Sequence, residues 1–141
     1  MKRLENGFTL LELMIVIAVL GIIAGIAIPN LLISMNGGRE AAAIGSMRTL
    51  STAAEQYRLR QGSYPTTLQD LAAVDPALVD SELANGLRNG YNFELSGQQS
   101  TFECNADPVS ANGTRFFYVD ETGVIRQSAS GAAGPTDNPV G

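Results

Sequence analysis

The longest apolar run in this chain extends from Gly7 to Ile33 and contains one charged residue, Glu12. A helix of about 20 apolar residues is long enough to cross a bilayer. A carboxylate inside the bilayer is costly, so an acidic residue in such a run predicts a function and a partner of opposite charge. Glu12 therefore constrains this chain more than any other residue of its sequence.

The residues before the run indicate where that partner comes from. Residues 1–7, with the sequence MKRLENG, are polar and end in a glycine. The absence of a side chain at Gly7 would let a peptidase approach the Gly7–Phe8 bond. Cleavage there would leave a positively charged amine on Phe8, four residues before Glu12. Each mature helix would then begin with one positive and one negative charge, and each could pair with its opposite on a neighbouring chain.

The segment Gly7–Leu13 (GFTLLEL), between basic residues and a long apolar run, resembles the processing and methylation signature of type IV prepilins and of the pseudopilins of type II secretion. The resemblance is close in this N-terminal part and weaker further on. It implies that a prepilin peptidase cuts after Gly7 and methylates the new amine of Phe8. It also implies that Glu12 acts in assembly.

Three residues of the apolar run weaken a helix: Gly21, Gly25 and Pro29 stand four apart and lie on one helical face. Glycine costs a helix about 1 kcal/mol and proline about 3 kcal/mol, because proline lacks an amide proton and crowds the preceding turn. A kink or local unwinding is predicted there. One interpretation is a small-residue face for helix dimerisation. The other comes from the resemblance, in which pilin helices carry weakening residues at the places of Gly21 and Pro29 and lose helical hydrogen bonds in a filament.

The helix is predicted to continue to about Gln61 and to be amphipathic in its second half. Beyond a weak point at Asn36–Gly38, apolar residues recur at helical spacing, while charged residues such as Glu40 occupy the other faces. Gly62 indicates the C-terminal end. The apolar stripe consists of Ile44, Met47, Leu50, Ala54 and Tyr57.

The rest of the chain predicts short helices and a small sheet. A turn and a capped helix, with Thr66 or Thr67 as N-cap, occupy Gly62–Leu71, whose GxYPxxLxxL pattern also resembles pilins. A further short helix is predicted near Asp80–Ala84. Alternating apolar and polar residues predict four antiparallel strands at Tyr91–Leu95, Ser100–Asn105, Arg115–Val119 and Val124–Arg126.

These elements predict an α+β fold, with a long N-terminal α-helix packed on a small antiparallel β-sheet as in pilins. The first half of the helix spans the membrane and the second half is amphipathic. The predicted organisation is a leader at residues 1–7, a transmembrane or filament-core half at 8–33, a head at 34–127 and a flexible tail at 128–141. The tail is assigned on composition, because it is small and polar with no apolar period.

Two other interpretations of the apolar run remain open. A secretory signal peptide would have a shorter apolar region of about 7 to 15 residues, and Ala24–Ala27 is the nearest candidate for its cleavage site. A single-pass anchor that carries a binding module would explain the length but not Glu12 or Gly7. In the anchor and prepilin interpretations alike, Lys2 and Arg3 place the N-terminus in the cytoplasm and the head across the membrane.

Composition excludes several classes of function. The net charge of −5 disfavours direct binding to nucleic acid. The chain has no His, one Cys and no glycine-rich phosphate loop, so the usual catalytic constellations are missing. It is predicted to be the substrate of an enzyme rather than an enzyme, with no cofactor and no metal.

Three features of the head have simple structural interpretations. Cys104 is the only cysteine, so the C-terminal disulfide loop that many pilins share cannot form, and a small buried hydrophobe is the favoured interpretation. Some pseudopilins bind calcium in their C-terminal region, but Asp120, Glu121 and Asp137 lack ligand spacing and are predicted to be solvated turn carboxylates. Asn112–Thr114 matches the Asn-glycosylation pattern, although Asn-Gly is also an ordinary turn dipeptide.

The predicted function is that of a structural subunit of a type IV pilus for adhesion, motility or DNA uptake. A type II secretion pseudopilin is the alternative, placed second because the tail and the Asn-rich loops suit an exposed surface. The predicted partners are further copies in a helical filament, the prepilin peptidase, the assembly platform, minor pilins and, before assembly, the inner membrane. The assembled chain would lie in an extracellular pilus or a periplasmic pseudopilus.

Overall fold

The computed structural model describes residues 8–110 and 113–141. The predicted leader, including Gly7, and Asn112 of the glycosylation pattern lie outside the described residues. The chain divides into two compact units, one ending at Met35 and one extending from Asn36 to Gly141.

The first helix, α1, extends over Leu10–Gln61 and includes Pro29. In the first unit it is apolar on every side, and every described residue through Met35 is exposed. In the second unit it becomes one-sided, with Ala43, Met47 and Leu50 fully buried. Its predicted length and its change of character are therefore confirmed.

The end of α1 and the two short helices have local causes. Gly62 adopts a positive φ of 84°, and its N–H donates to the carbonyl of Arg58 at 2.8 Å, which closes the last turn. Helix α2, Leu68–Ala73, has Thr67 as its N-cap. Helix α3, Ser81–Ala84, begins at Asp80, whose carboxylate accepts from the N–H of Leu83 at 2.8 Å.

The sheet is an antiparallel meander of six strands in sequence order. Four of them match the predicted strands within two or three residues, while the first and last have only two residues each and carry no readable alternation. The strands are β1 Leu87–Arg88, β2 Tyr91–Gly97, β3 Phe102–Pro108, β4 Phe116–Asp120, β5 Arg126–Ser128 and β6 Asn138–Pro139.

The segment 128–141, which was predicted to be a flexible tail, contacts the sheet in this structure. Strand β6 pairs with β5, and the N–H of Val140 donates to the carbonyl of Ile125 at 2.8 Å. Ala133 is buried and Val140 packs against the core. The segment is held mainly through its backbone, which is why an apolar side-chain pattern did not reveal it.

The core lies between one face of the sheet and the second half of α1. Tyr91, Phe93 and Leu95 supply the alternate residues of β2, and Cys104 of β3 is fully buried with its Sγ 3.8 Å from Sδ of Met47. Burial raises the pKa of the Cys104 thiol to about 12. The predicted α+β fold and the interpretation of Cys104 as a buried hydrophobe are confirmed.

Candidate functional site

Glu12 lies in the first turn of α1 and closes a capping box with Thr9. Its Oε2 accepts hydrogen bonds from the backbone N–H and from the hydroxyl of Thr9, both at 2.9 Å. In return the N–H of Glu12 donates to Oγ1 of Thr9 at 3.2 Å. These reciprocal bonds satisfy donors at the start of the helix and hold the carboxylate beside its N-terminus.

Thr9 is therefore a partner of Glu12 within the same chain, which the sequence analysis did not predict. The signal was readable, since Thr9 and Glu12 form the T-x-x-E pattern of a capping box. A hydroxyl and an amide do not neutralise a carboxylate, so the need for a cation remains. Both residues are exposed, and Phe8, just before the helix, is 81% exposed.

Gly21, Gly25 and Pro29 all lie within α1, which continues through them without a break. The predicted local unwinding is absent from this state of the chain. A Cβ built on Gly21 or Gly25 would meet nothing within 4 Å, so no contact within the chain requires glycine there. Pro29 still removes one helical donor.

The first half of α1 is long and apolar enough to cross a membrane, with a mean hydropathy of 2.8 in its most apolar window. None of that window is buried. Over residues 8–110 and 113–141, α1 is the one helix with these properties. A helix that is apolar all round needs lipid or other helices around it.

Glu40, which lies outside the predicted apolar stripe of α1, organises a second site. Its side chain is only 7% exposed. Oε1 accepts from the N–H and the hydroxyl of Thr114, at 3.0 and 2.8 Å, and Oε2 accepts from Nε and Nη2 of Arg115, both at 2.7 Å. This two-pronged contact, hereafter the Glu40 clamp, fastens the chain before β4 to α1.

The clamp is supported from the sheet. The hydroxyl of Tyr91 donates to the carbonyl of Arg115 at 3.0 Å, and Nη1 of Arg115 donates to Oε1 of Gln127. A Cβ on Gly113 would overlap the hydroxyl of Tyr91, so only glycine lets the chain pass there. Thr114 belongs to the glycosylation pattern, and its hydroxyl is engaged by Glu40.

Stability should depend on pH through Glu40. Burial raises the pKa of Glu40, but the hydrogen bonds from Thr114 and Arg115 and the charge of Arg115 outweigh it and hold the pKa below its usual value. Because the pKa is depressed in the folded state, this stabilisation is present above the unfolded carboxyl pKa of about 4.3 and is lost as the pH falls through the folded pKa.

We expect Glu40→Gln to lower the free energy of unfolding at pH 7 by about 1 to 2 kcal/mol, a modest value because Arg115 is partly exposed. The difference from wild type should shrink towards pH 3. Urea unfolding of the detergent-solubilised chain, followed by tyrosine fluorescence, measures the free energy of unfolding at pH 7 and at pH 3. Glu121→Gln, at an exposed turn carboxylate, is the control and should change little. An equal loss for Glu40→Gln at both pH values would contradict this account.

The carboxylates considered for calcium are used within turns. Asp120 accepts from the N–H of Thr122 at 3.0 Å, and Asp137 accepts from the N–H of Gly134 at 2.8 Å. Within the described ranges no three His, Cys, Asp or Glu residues are grouped to hold a metal ion. Glu121 is exposed in the turn after β4.

Taken together, an apolar N-terminal helix with a capped acidic residue, continuing into an α+β head, defines the pilin class of membrane-inserted subunits. A family model described as "Prokaryotic N-terminal methylation motif" matches residues 2–28. The chain is also similar to proteins named type II secretion system core protein G from three bacteria. It is 41% identical over 73 residues to that of Aeromonas hydrophila, covering 52% of this chain and 51% of the relative.

The other two relatives match over longer stretches. Identity to the Dickeya chrysanthemi protein is 36% over 92 residues, with 64% of this chain and 60% of the relative covered. Identity to the Pseudomonas aeruginosa protein is 33% over 95 residues, with 67% of each covered. The chain thus spans about half to two thirds of the length of these relatives. It belongs to the type IV pilin and pseudopilin family.

This family membership confirms that the chain is a structural subunit and not an enzyme. The relatives favour the pseudopilin alternative over the type IV pilus that the sequence analysis placed first.

Proposed function

We propose that this chain is a pseudopilin, the filament-forming subunit of a type II secretion system. The observation that carries the proposal is the similarity to type II secretion system core protein G, which extends over 95 residues and so well beyond the methylation motif. An exposed tail was one reason to prefer a surface pilus, but two residues of that tail, Asn138 and Pro139, pair with β5. The assembled filament would then lie in the periplasm.

Maturation would begin in the inner membrane. The prepilin peptidase would cut after Gly7 and add a methyl group to the amine of Phe8, as the matched motif supports. Helical residues from 8 to 33 would remain in the bilayer until assembly, and the head, now including residues 128–141, would lie outside it. The assembly platform and minor subunits are the further partners of this step.

Assembly would transfer an apolar helix and one acidic group from lipid into a filament core. In that core Glu12 would meet the Phe8 amine of an adjacent subunit, and a matched pair is far less penalised than a lone charge. Contacts of this kind join unlike surfaces and do not close, so they generate an open helical polymer. Gly21, Gly25 and Pro29 would allow the helix to lose hydrogen bonds as subunits pack.

Cleavage is tested by Gly7→Arg. We expect the variant to remain full-length in membranes and to be absent from filaments, because an arginine side chain blocks the approach to the Gly7–Phe8 bond. Mass spectrometry of the N-terminus, from periplasmic filaments and from membranes, should show wild-type chains that begin at a methylated Phe8. Asn6→Arg adds the same side chain one residue earlier and should still be processed.

The alternative functions predict different N-termini and different effects of deleting the gene. Mature chains that begin elsewhere than Phe8 would contradict the proposed cleavage. An intact N-terminus and no polymer would indicate a membrane-anchored binding module. Deletion of the gene separates the two filament systems, because loss of a pseudopilin should trap secreted proteins in the periplasm. Normal secretion with loss of surface filaments would indicate a pilus instead.

A further inference from the structure

Asn36–Gly38, at the start of the second unit, is an unusual segment for the interior of a long helix. It places two consecutive glycines within α1, although glycine is among the weakest helix formers. Both glycines are exposed, and a Cβ on either would meet nothing within 4 Å. Neither has a positive φ. No contact or backbone conformation therefore requires glycine at these two positions.

The helix around these glycines also lacks buried side chains. No residue from Pro29 to Gly38 is buried. Two polar side chains bond back to carbonyls one turn earlier: Nδ2 of Asn30 donates to the carbonyl of Ile26 at 3.1 Å, and Oγ of Ser34 donates to that of Asn30 at 3.0 Å. Such bonds compete with the helix ladder and often bend helices.

Support begins abruptly two residues later. The Glu40 clamp ties α1 to Thr114 and Arg115, and Ala43 and Met47 are fully buried from there on. Within the second unit, α1 thus has no buried residue from Asn36 to Arg39, and it is held by the sheet from Glu40 on. Helix that lacks tertiary contacts opens more readily than helix that has them.

We propose that Asn36–Gly38 is a hinge at which α1 opens locally, and that the Glu40 clamp is the point at which this opening stops. The opening is confined to a few residues and leaves the core of the head intact. It is separate from the weak points at Gly21 and Pro29. The inference does not rest on polymerisation, since the hinge belongs to the single chain.

Hydrogen exchange of the full chain in detergent micelles, read by mass spectrometry, tests the hinge. In wild type, amides of residues 36–41 should exchange at least about tenfold faster than those of residues 47–54. The double substitution Gly37→Ala with Gly38→Ala should slow exchange at 36–41 by about tenfold or more, because alanine favours the helix. Gly45→Ala is the matched control, since Gly45 is another exposed helical glycine with an open surrounding.

The clamp is tested in the same measurement. Glu40→Gln should extend fast exchange through Ala43 and leave residues 36–38 unchanged. Equal protection of 36–41 and 47–54 in wild type would overturn the proposal, as would an alanine pair without effect. The proposal would also be overturned if Gly45→Ala slowed hydrogen exchange at residues 36–41 as much as the alanine pair does. Since the chain is unassembled here, the outcome is independent of the proposed role in secretion.

Discussion

Replacing Glu12 by leucine should leave the chain in the membrane but reduce the yield of periplasmic filaments on the order of tenfold or more. Leucine suits the bilayer better than a carboxylate does, so insertion is not impaired. The substitution removes the acidic partner of the Phe8 amine of the next subunit. That amine would then be an unpaired charge in the filament core. Immunoblots of membranes and of filaments released with the periplasmic contents measure the two effects.

The capping box at Thr9 makes it possible to separate charge from helix capping. Glu12→Gln keeps an acceptor for the N–H and hydroxyl of Thr9 but removes the charge. Thr9→Val removes the two hydrogen bonds of the hydroxyl, keeps the bond from the backbone N–H and keeps the charge. If charge pairing drives assembly, Glu12→Gln should fail like Glu12→Leu and Thr9→Val should assemble. Filament yields equal to wild type for Glu12→Leu, or loss confined to Thr9→Val, would count against charge pairing.

Gly97→Ala should be the most damaging small change in the head. Gly97 ends β2 beside the Tyr64–Pro65 turn, where Tyr64 donates its N–H to the carbonyl of Gln98 at 3.1 Å. A Cβ on Gly97 would overlap the carbonyl oxygen of Pro65 and lie 3.1 Å from Cβ of Tyr64. Both Tyr64 and Pro65 are buried, so the backbone itself would have to shift.

We expect Gly97→Ala to cost about 3 kcal/mol or more, which lowers the melting temperature of the head by at least about 10 °C. Circular dichroism of the solubilised chain measures this change. Gly134→Ala is the control, because a Cβ there meets nothing within 4 Å and the backbone is not left-handed. If Gly97→Ala had the same melting temperature as wild type, the Tyr64–Pro65 backbone could shift at little cost and the prediction would be wrong.

The contact of Gly97 with Tyr64 and Pro65 also gives a structural reason for the pilin-like GxYP sequence that follows α1. Tyr64 packs its ring against Phe102, with ring centroids 4.9 Å apart, and its hydroxyl donates to Glu55. Arg58 lies over the same ring, 5.1 Å from the centroid. The turn after Gly62 is therefore a packing junction between the end of α1 and the sheet.

Features set by neighbouring residues were predictable. The apolar run, the amphipathic stripe, the N-caps at Thr67 and Asp80 and the strands with clear alternation each depend on residues close in sequence. The capping box of Glu12 belongs to this group, although it was overlooked. The T-x-x-E pattern of Thr9 and Glu12 is local and can be read from the sequence.

The sequence by itself determined that this chain has a membrane-length helix with one acidic residue near its start and a small α+β head, because periodicity and local capping act over a few residues. Only the tertiary structure decided that Glu40 is buried and that residues 138–139 form an edge strand. Glu40 meets partners 74 and 75 residues away, and β6 is held by backbone bonds to β5. Such contacts form when distant segments meet, so no local pattern records them.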